Sequence, residues 1–406
     1  MYSFSGKIKL VAIISMVVGL LGIGYSFIAT PSTVEALGAH ASHDPAHAEH
    51  VLHLLQNKPW AALYVAALFF MLISLGVLAF YAINRAAQAG WAPILFRVME
   101  GITGYLPIGA LIFFLLLVFS GLHFNHLFIW MDPAVVAHDT VIQGKTGYLN
   151  VPFFLVRTAI YMLGWIAYRQ ITRKLSKAQD QAHDNRPFIK AFKWSAGFLV
   201  FFLVSESMMS WDWVMSVDPH WFSTLFGWYV FGSLIASAIA AIILVTVTLK
   251  SQGYLEHVND THLHDLAKYL FGFSIFWTYL WFSQYLLYWY SNIPEEVTYF
   301  VTRLEHYEPI VLSMLAINFL LPLLILVDSD IKRKPWLVGT MAVVILIGHY
   351  LDFFNMIMPA TVGDQWCIGA GEIGSVLFFF GLFTFVTFRT LTKAPLVEKN
   401  HPLMHE

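Results

Sequence analysis

The chain has one cysteine, Cys367, among 406 residues, and only 12% of those residues are charged. A lone thiol excludes an iron–sulfur cluster, c-type haem attached through C-x-x-C-H and a Cys/His zinc quartet. Soluble domains carry about a quarter charged residues, so charge this sparse excludes an ordinary cytosolic enzyme. With 23 Lys and Arg and a net charge of −2, there is no basic surplus to bind nucleic acid. A b-type haem between two membrane helices needs a pair of intramembrane histidines. Of the 17 His, nearly all fall between apolar segments, and only His349 lies well inside one. A redox centre carried by this chain alone is therefore not expected, and electrons would travel in partners.

What the chain does have is apolar residues. They make up 58% of it, with mean hydropathy +0.66, and they come in blocks near the length needed to cross a hydrocarbon core of roughly 30 Å. The blocks predict ten membrane spans: 8–29, 60–83, 98–122, 151–168, 191–216, 222–248, 269–291, 310–328, 337–358 and 369–391. The first follows Lys7 and Lys9 but lacks a small-x-small cleavage site, so it reads as an uncleaved span. With the N-terminus on the cytoplasmic side, 19 of the 23 basic residues fall on that side, from Lys7 to Lys399. Only Lys58, Lys145 and Arg303 fall opposite, and Arg157 lies inside a span. A wrong span count would scramble that asymmetry, so both termini are expected inside.

The longer outer loops cover 30–59, 123–150, 292–309 and 359–368. The first holds His40, His43, His47, His50 and His53 at helical spacing; three of them could share a face and hold a metal, but a polar surface helix is the expected reading. Tryptophans crowd the span ends, among them Trp130, Trp211, Trp221 and Trp289, as an interfacial belt requires. Pro107 and Pro322 are the prolines set well inside spans.

Ionisable side chains in hydrocarbon cost several kcal/mol and mark functional candidates. Six qualify: Arg157 in the fourth span, Glu206 and Asp212 in the fifth, His349 and Asp352 in the ninth, and Glu372 opening the tenth. At 1.5 Å per residue Glu206 lies roughly 22 Å from the cytoplasmic end, and the others also fall toward the outer half. The expectation is one cation held against several carboxylates in a shared pocket, forming a proton path or a quinone-facing site. The competing expectation is a structural network in which Arg157 satisfies one acid. Ser205, Ser207, Ser210 and Tyr350 could extend a hydrogen-bonded wire, although serines in membrane helices more often bond their own backbone.

The most distinctive stretch is Ser210–Tyr229, SWDWVMSVDPHWFSTLFGWY. It reads as the outer end of the fifth span, a turn at Asp218-Pro219 that ends the helix, and the start of the sixth span, with Ser223 or Thr224 as its cap. Asp212, Trp213, Met215 and Ser216, then Trp221 to Thr224, Gly227 and Tyr229, resemble the signature of the NrfD-like, or polysulfide reductase membrane-subunit, family. The N-terminal M-Y-x-F-S-x-K-I-K, the Trp130–Pro133 corner and Met358-Pro359 resemble the ActF-type subunit of alternative complex III within it. The resemblance covers essentially the whole chain. It implies an all-α integral membrane protein of ten transmembrane helices. These form two four-helix bundles (spans 2–5 and 6–9), with the first and last helices peripheral. The corresponding divisions are 1–59 (first helix and His-rich loop), 60–216, 217–358 and 359–406 (last helix and cytoplasmic tail).

It further implies a cofactor-free subunit of a respiratory quinol:cytochrome c or quinol:oxidase complex in the bacterial inner membrane, serving as scaffold with a possible proton-conducting path. Quinone, haem c and iron–sulfur clusters are then expected in companions: a paralogous NrfD-like subunit, multihaem and monohaem cytochrome c subunits and an iron–sulfur subunit. No catalytic, cofactor-binding or metal residue is assigned to this chain. The alternatives are a proton-coupled solute transporter, whose helices would be Gly/Pro-broken at matching places in two halves, and a purely structural membrane anchor.

Overall fold

A computed structural model describes residues 2–36 and 45–404, and among these every regular element is a helix. The α-helices are α1 Gly6–Ala29, α2 Pro45–Ala86, α3 Phe96–Ile102, α4 Leu106–Gly121, α5 Pro133–His138, α6 Thr140–Lys145, α7 Val151–Gln179 and α8 Arg186–Trp213. They continue with α9 Phe226–Ser251, α10 Asp260–Ser291, α11 Pro294–His306, α12 Glu308–Leu315, α13 Leu321–Ile325, α14 Pro335–Val362 and α15 Ala370–Leu391. Short polar side chains start several of them. Asn150 accepts from the Phe153 N–H at 3.0 Å to open α7, Asp132 and Asp139 do the same for α5 and α6, and Asn259 with His262 forms a capping box on α10, each satisfying an orphan first-turn donor.

Nine helical segments among the described residues are long and apolar enough to cross a membrane, so the chain is an all-α, multi-pass membrane protein. The remaining segment predicted to span, 269–291, lies in α10. That helix runs 32 residues, from the Lys250–Asp260 ion pair at one end of the bundle to the Tyr288 hydroxyl on the Phe222 carbonyl at the other. It is less apolar than the rest because of its tyrosines and tryptophans rather than its charges.

Helix adjacency organises the molecule. In one group α2 packs on α4, α4 on α7, α7 on α8 and α8 back on α2. In the other, α10 and α14 both pack on α9, α12 packs on α14, and α13 closes against α10. The groups are joined through α2, which touches both α9 and α14. Gly76 makes that seam possible, since a Cβ there would sit 2.6 Å from the Leu234 carbonyl oxygen. Outside both groups, α1 lies along α15, where Gly19, Gly22, Gly374 and Gly381 bring the backbones together in the small-residue mode of membrane helices. The opposite face of α1 is bare, with Leu21 and Ile28 69% and 86% exposed.

Both termini lie at the same end of the bundle. Tyr2 packs edge-on against Tyr254 and near Phe388, and the tail after α15 reaches Arg85 and Ser176 through Glu398.

Within the described residues the His-rich segment is helical as expected, but residues 45–59 are continuous with the second span, α2 running through them with Pro59 in its interior. The fifth span ends close to the expected 216, α8 stopping at Trp213 and a 3₁₀ turn, Met215–Val217, following ahead of Pro219. One local expectation is corrected. Neither Ser223 nor Thr224 caps the sixth span with its side chain; α9 starts at Phe226, whose N–H is met by the Ser223 carbonyl rather than its hydroxyl.

Candidate functional site

The six predicted residues do not share one pocket. Arg157 and Asp212 meet in the first bundle, His349 and Asp352 in the second, and Glu206 and Glu372 stand apart. Arg157 is the counter-ion of Asp212 alone, which corrects the expectation of one cation held against several acids. The physical reason is geometric: a guanidinium presents two parallel donors to one carboxylate, and here both are used.

In the first centre Arg157 projects from α7 and Asp212 from the last turn of α8. Arg157 Nε and Nη2 donate to Asp212 Oδ2 and Oδ1, both at 2.9 Å, while Nη1 donates to the Tyr148 carbonyl at 2.9 Å. The Tyr161 hydroxyl adds a third donor to Asp212 Oδ2 at 3.1 Å. The guanidinium carbon lies 3.8 Å and 4.3 Å from the ring centroids of Tyr148 and Phe153, a cation–π arrangement. Asp212 is fully buried. This is a closed, fully partnered ion pair.

The second centre is built differently. Asp352, on α14, is also fully buried, but its bonded donors are uncharged. The Tyr229 hydroxyl donates to Oδ1, and Ser233 Oγ and Trp277 Nε1 donate to Oδ2 at 2.5 Å and 2.8 Å. His349, one turn earlier on the same helix face, brings Nδ1 to 3.9 Å from Oδ2, and neither of its ring nitrogens has a hydrogen-bond partner. Asn318 is equally unpartnered. It sits in a π turn, Ala316–Leu320, pressed against Gly348, where a Cβ would come within 2.0 Å of Asn318 Oδ1. Ser274 Oγ on α10 and Asn355 Oδ1 on α14 are buried and unpartnered as well. π turns recur at functional sites, and this one faces the helix that carries the acid.

Above Asp352 a cavity of ≈10 Å³ is lined by Tyr229, Gln284, Tyr299, Arg303 and Asn355 among others, about the room one water needs. Arg303, read from sequence as a loop charge, is buried. Its Nε and Nη2 donate to the Asn355 and Met356 carbonyls at 3.0 Å. Pro359 explains the first bond: with no N–H it leaves the Asn355 carbonyl without its helical partner, and Arg303 takes that place.

Glu206 is buried, and its Oε1 has no partner. The serines around it form no wire. Ser205 Oγ accepts from Trp165 Nε1 at 2.9 Å, while Ser207 and Ser210 bond backbone carbonyls of α8. The Tyr350 hydroxyl has no partner. Glu372 accepts the Gly369 N–H at 2.9 Å and is a cap for α15 rather than a member of either centre.

The signature stretch links the centres. Asp212 ends in the first, and Tyr229 reaches the second. Between them Lys145 donates to the Pro219 carbonyl at 2.5 Å, His220 pairs with Asp139 at 2.5 Å, and Trp221 stacks on Tyr299 at 4.0 Å. The backbone N–H of Ile142, then the His220 contact, hold the Asp139 carboxyl below its ordinary range.

A third group of charges, at the termini end, was missed. Glu100 is buried between Arg97 at 3.3 Å and Arg173 at 3.5 Å and accepts from the Tyr81 hydroxyl at 3.1 Å. Arg97 also holds Asp180 at 2.5 Å. Arg85 pairs with Glu398 of the C-terminal tail, which also accepts from Ser176 at 2.6 Å. Burial raises the Glu398 carboxyl against the pull of Arg85. Burial, then Arg85, lowers His401 to about 4. The signal in the sequence was Glu100 just inside an apolar block, three residues after Arg97.

His40 and His43 lie outside the described residues. Among the described residues no group of three or more His, Cys, Asp or Glu is placed to hold a metal ion. His50 and His53 instead line an open cavity of ≈370 Å³ with His123 and His126.

No protein-family model matches the chain, and neither does any curated protein sequence.

Proposed function

We propose that this membrane protein is a cofactor-free subunit of a respiratory quinol:electron-acceptor complex, and that its second bundle moves protons while its first is a fixed scaffold. The reading rests on one observation above all. Asp352 is held by three uncharged donors and has a histidine one turn away with both nitrogens free, whereas Asp212 is locked by a bidentate guanidinium. A proton added to Asp212 would break a buried ion pair, a change costing several kcal/mol. A proton exchanged between Asp352 and His349 breaks none. Unpartnered Asn318 and Ser274 below, and Asn355 with the small cavity above, support extension of that route toward both ends.

The assignment to a quinol-oxidising complex rests on the resemblance carried by Ser210–Tyr229. Quinone, haem c and iron–sulfur clusters are placed in companion subunits: a paralogous NrfD-like chain, cytochromes c and an iron–sulfur protein. The membrane is the bacterial inner membrane, with the termini and the basic end toward the cytoplasm. For the first bundle, the Arg157–Asp212 geometry favours the anchor reading. Against a solute transporter, the two helix breaks beside Pro107 and Pro322 fall in the second helix of one bundle and the third of the other, not at matching places.

The test is purification followed by turnover. The chain should co-isolate with haem-containing subunits, and Asp352→Asn should lower protons released per electron in the assembled complex. Isolation as a solitary oligomer counts against the assignment, and unchanged stoichiometry in Asp352→Asn counts against the proton role.

A further inference from the structure

At the termini end, between the α1–α15 pair and the α9–α14 face, runs a groove of ≈410 Å³. Its walls change character with depth. Lys7 stands at the mouth, on the first turn of α1. Thr248 and Thr387 follow, each within about one turn of its helix end. Beyond them the lining is apolar apart from Thr384, with Leu346 and Phe380 among the residues that reach roughly 15 Å inward at 1.5 Å per residue. Lys7 makes no ion pair among the described residues. Thr248 is half-buried, so its side chain reaches the groove. A cation, then a hydroxyl, then about 15 Å of mostly hydrocarbon wall repeats the order of a phospholipid: phosphate, ester, acyl chain. The depth also matches one leaflet, half of a core roughly 30 Å thick.

We propose that this groove is a specific site for one anionic phospholipid, with its phosphate on Lys7, an ester oxygen on Thr248 and one acyl chain between α9, α14 and α15. The lipid fills the wedge that opens because α1 packs on α15 and not on α9. It stands independently of the respiratory assignment and requires only that the bundle sit in a membrane.

The experiment uses the full chain, in whatever assembly carries it, equilibrated in bilayers of equal phosphatidylglycerol and phosphatidylcholine, extracted gently and weighed by native mass spectrometry. One lipid per chain is expected to persist, with phosphatidylglycerol preferred about fivefold, the attraction of one lysine near an anionic surface. Lys7→Gln should retain the lipid but lose the preference. Val343→Trp, at a half-exposed rim position, should cut retention of both lipids about tenfold, and Val11→Trp serves as a second blocking variant should the first not fold. Equal retention in a folded blocking variant, an undiminished preference in Lys7→Gln, or an isoprenoid recovered in place of the phospholipid would overturn the proposal.

Discussion

Neutralising the Arg157–Asp212 pair one side at a time, and then both sides together, tests whether the first bundle is a scaffold. Arg157→Met removes both donors to Asp212 and leaves a fully buried carboxylate with the Tyr161 hydroxyl as its remaining side-chain donor. Breaking a buried pair from one side costs about 3–5 kcal/mol. Asp212→Asn leaves the guanidinium its bond to the Tyr148 carbonyl and its place over two aromatic rings. Contacts of that kind retain about 1–2 kcal/mol, so the loss should be smaller, about 2–3 kcal/mol. In the double variant neither charge is stranded. Its cost should fall to about 1–2 kcal/mol, well below the sum of the single variants, for a coupling of at least about 3 kcal/mol. Unfolding in mixed micelles of mild detergent and dodecyl sulfate gives each value by linear extrapolation. Costs that add to within about 0.5 kcal/mol would refute the reasoning, because independent sites add that well.

Lowering pH should loosen the C-terminal tail. His401 protonates at about 4 in the folded chain and near 6.5 when released, so the unfolded tail binds the proton first and stability falls from pH 6.5 toward 4, by at most about 3 kcal/mol. Glu398, raised by burial, acts in the opposite sense: limited proteolysis of the tail should rise with acid in the parent and fall with acid in His401→Phe, where Glu398 acts without the histidine. Gly19→Leu would drive a side chain into the Phe378 backbone, 2.4 Å from the nearest Cβ position. It should separate α1 from α15, read as faster amide hydrogen exchange and easier proteolysis of α1 while the rest of the bundle is unchanged. Glu372→Gln keeps an oxygen for the Gly369 N–H and should be nearly silent, whereas Glu372→Ala should cost about 1 kcal/mol of thermal stability without changing proton stoichiometry.

The helical blocks were legible because twenty-odd apolar residues have few other fates. The segment predicted at 151–168 opens at Val151 as expected, and 369–391 matches α15 to within a residue. What was not legible follows from partners distant in sequence. Arg85, Arg97 and Arg303 counted as end charges, yet all three are buried, because Glu398, Asp180 and the Asn355 carbonyl freed by Pro359 come to them from elsewhere in the chain. The six buried ionisable residues were found individually from local hydropathy. The grouping of four of them into two centres depends on which helices touch, and a single chain does not encode that in its periodicity. The π turn at Asn318 left no trace in the pattern, since Ala316–Leu320 is as apolar as any helix.

The two buried aspartates differ in what holds them, Asp212 in a bidentate ion pair and Asp352 among uncharged donors, and the proposed proton route runs through Asp352 alone. pH-difference infrared spectroscopy of the membrane-embedded protein reads this directly through the carboxylic C=O stretch. A titrating carboxyl band that disappears in Asp352→Asn and survives in Asp212→Asn is the predicted result. A band that survives in Asp352→Asn and disappears in Asp212→Asn would contradict it.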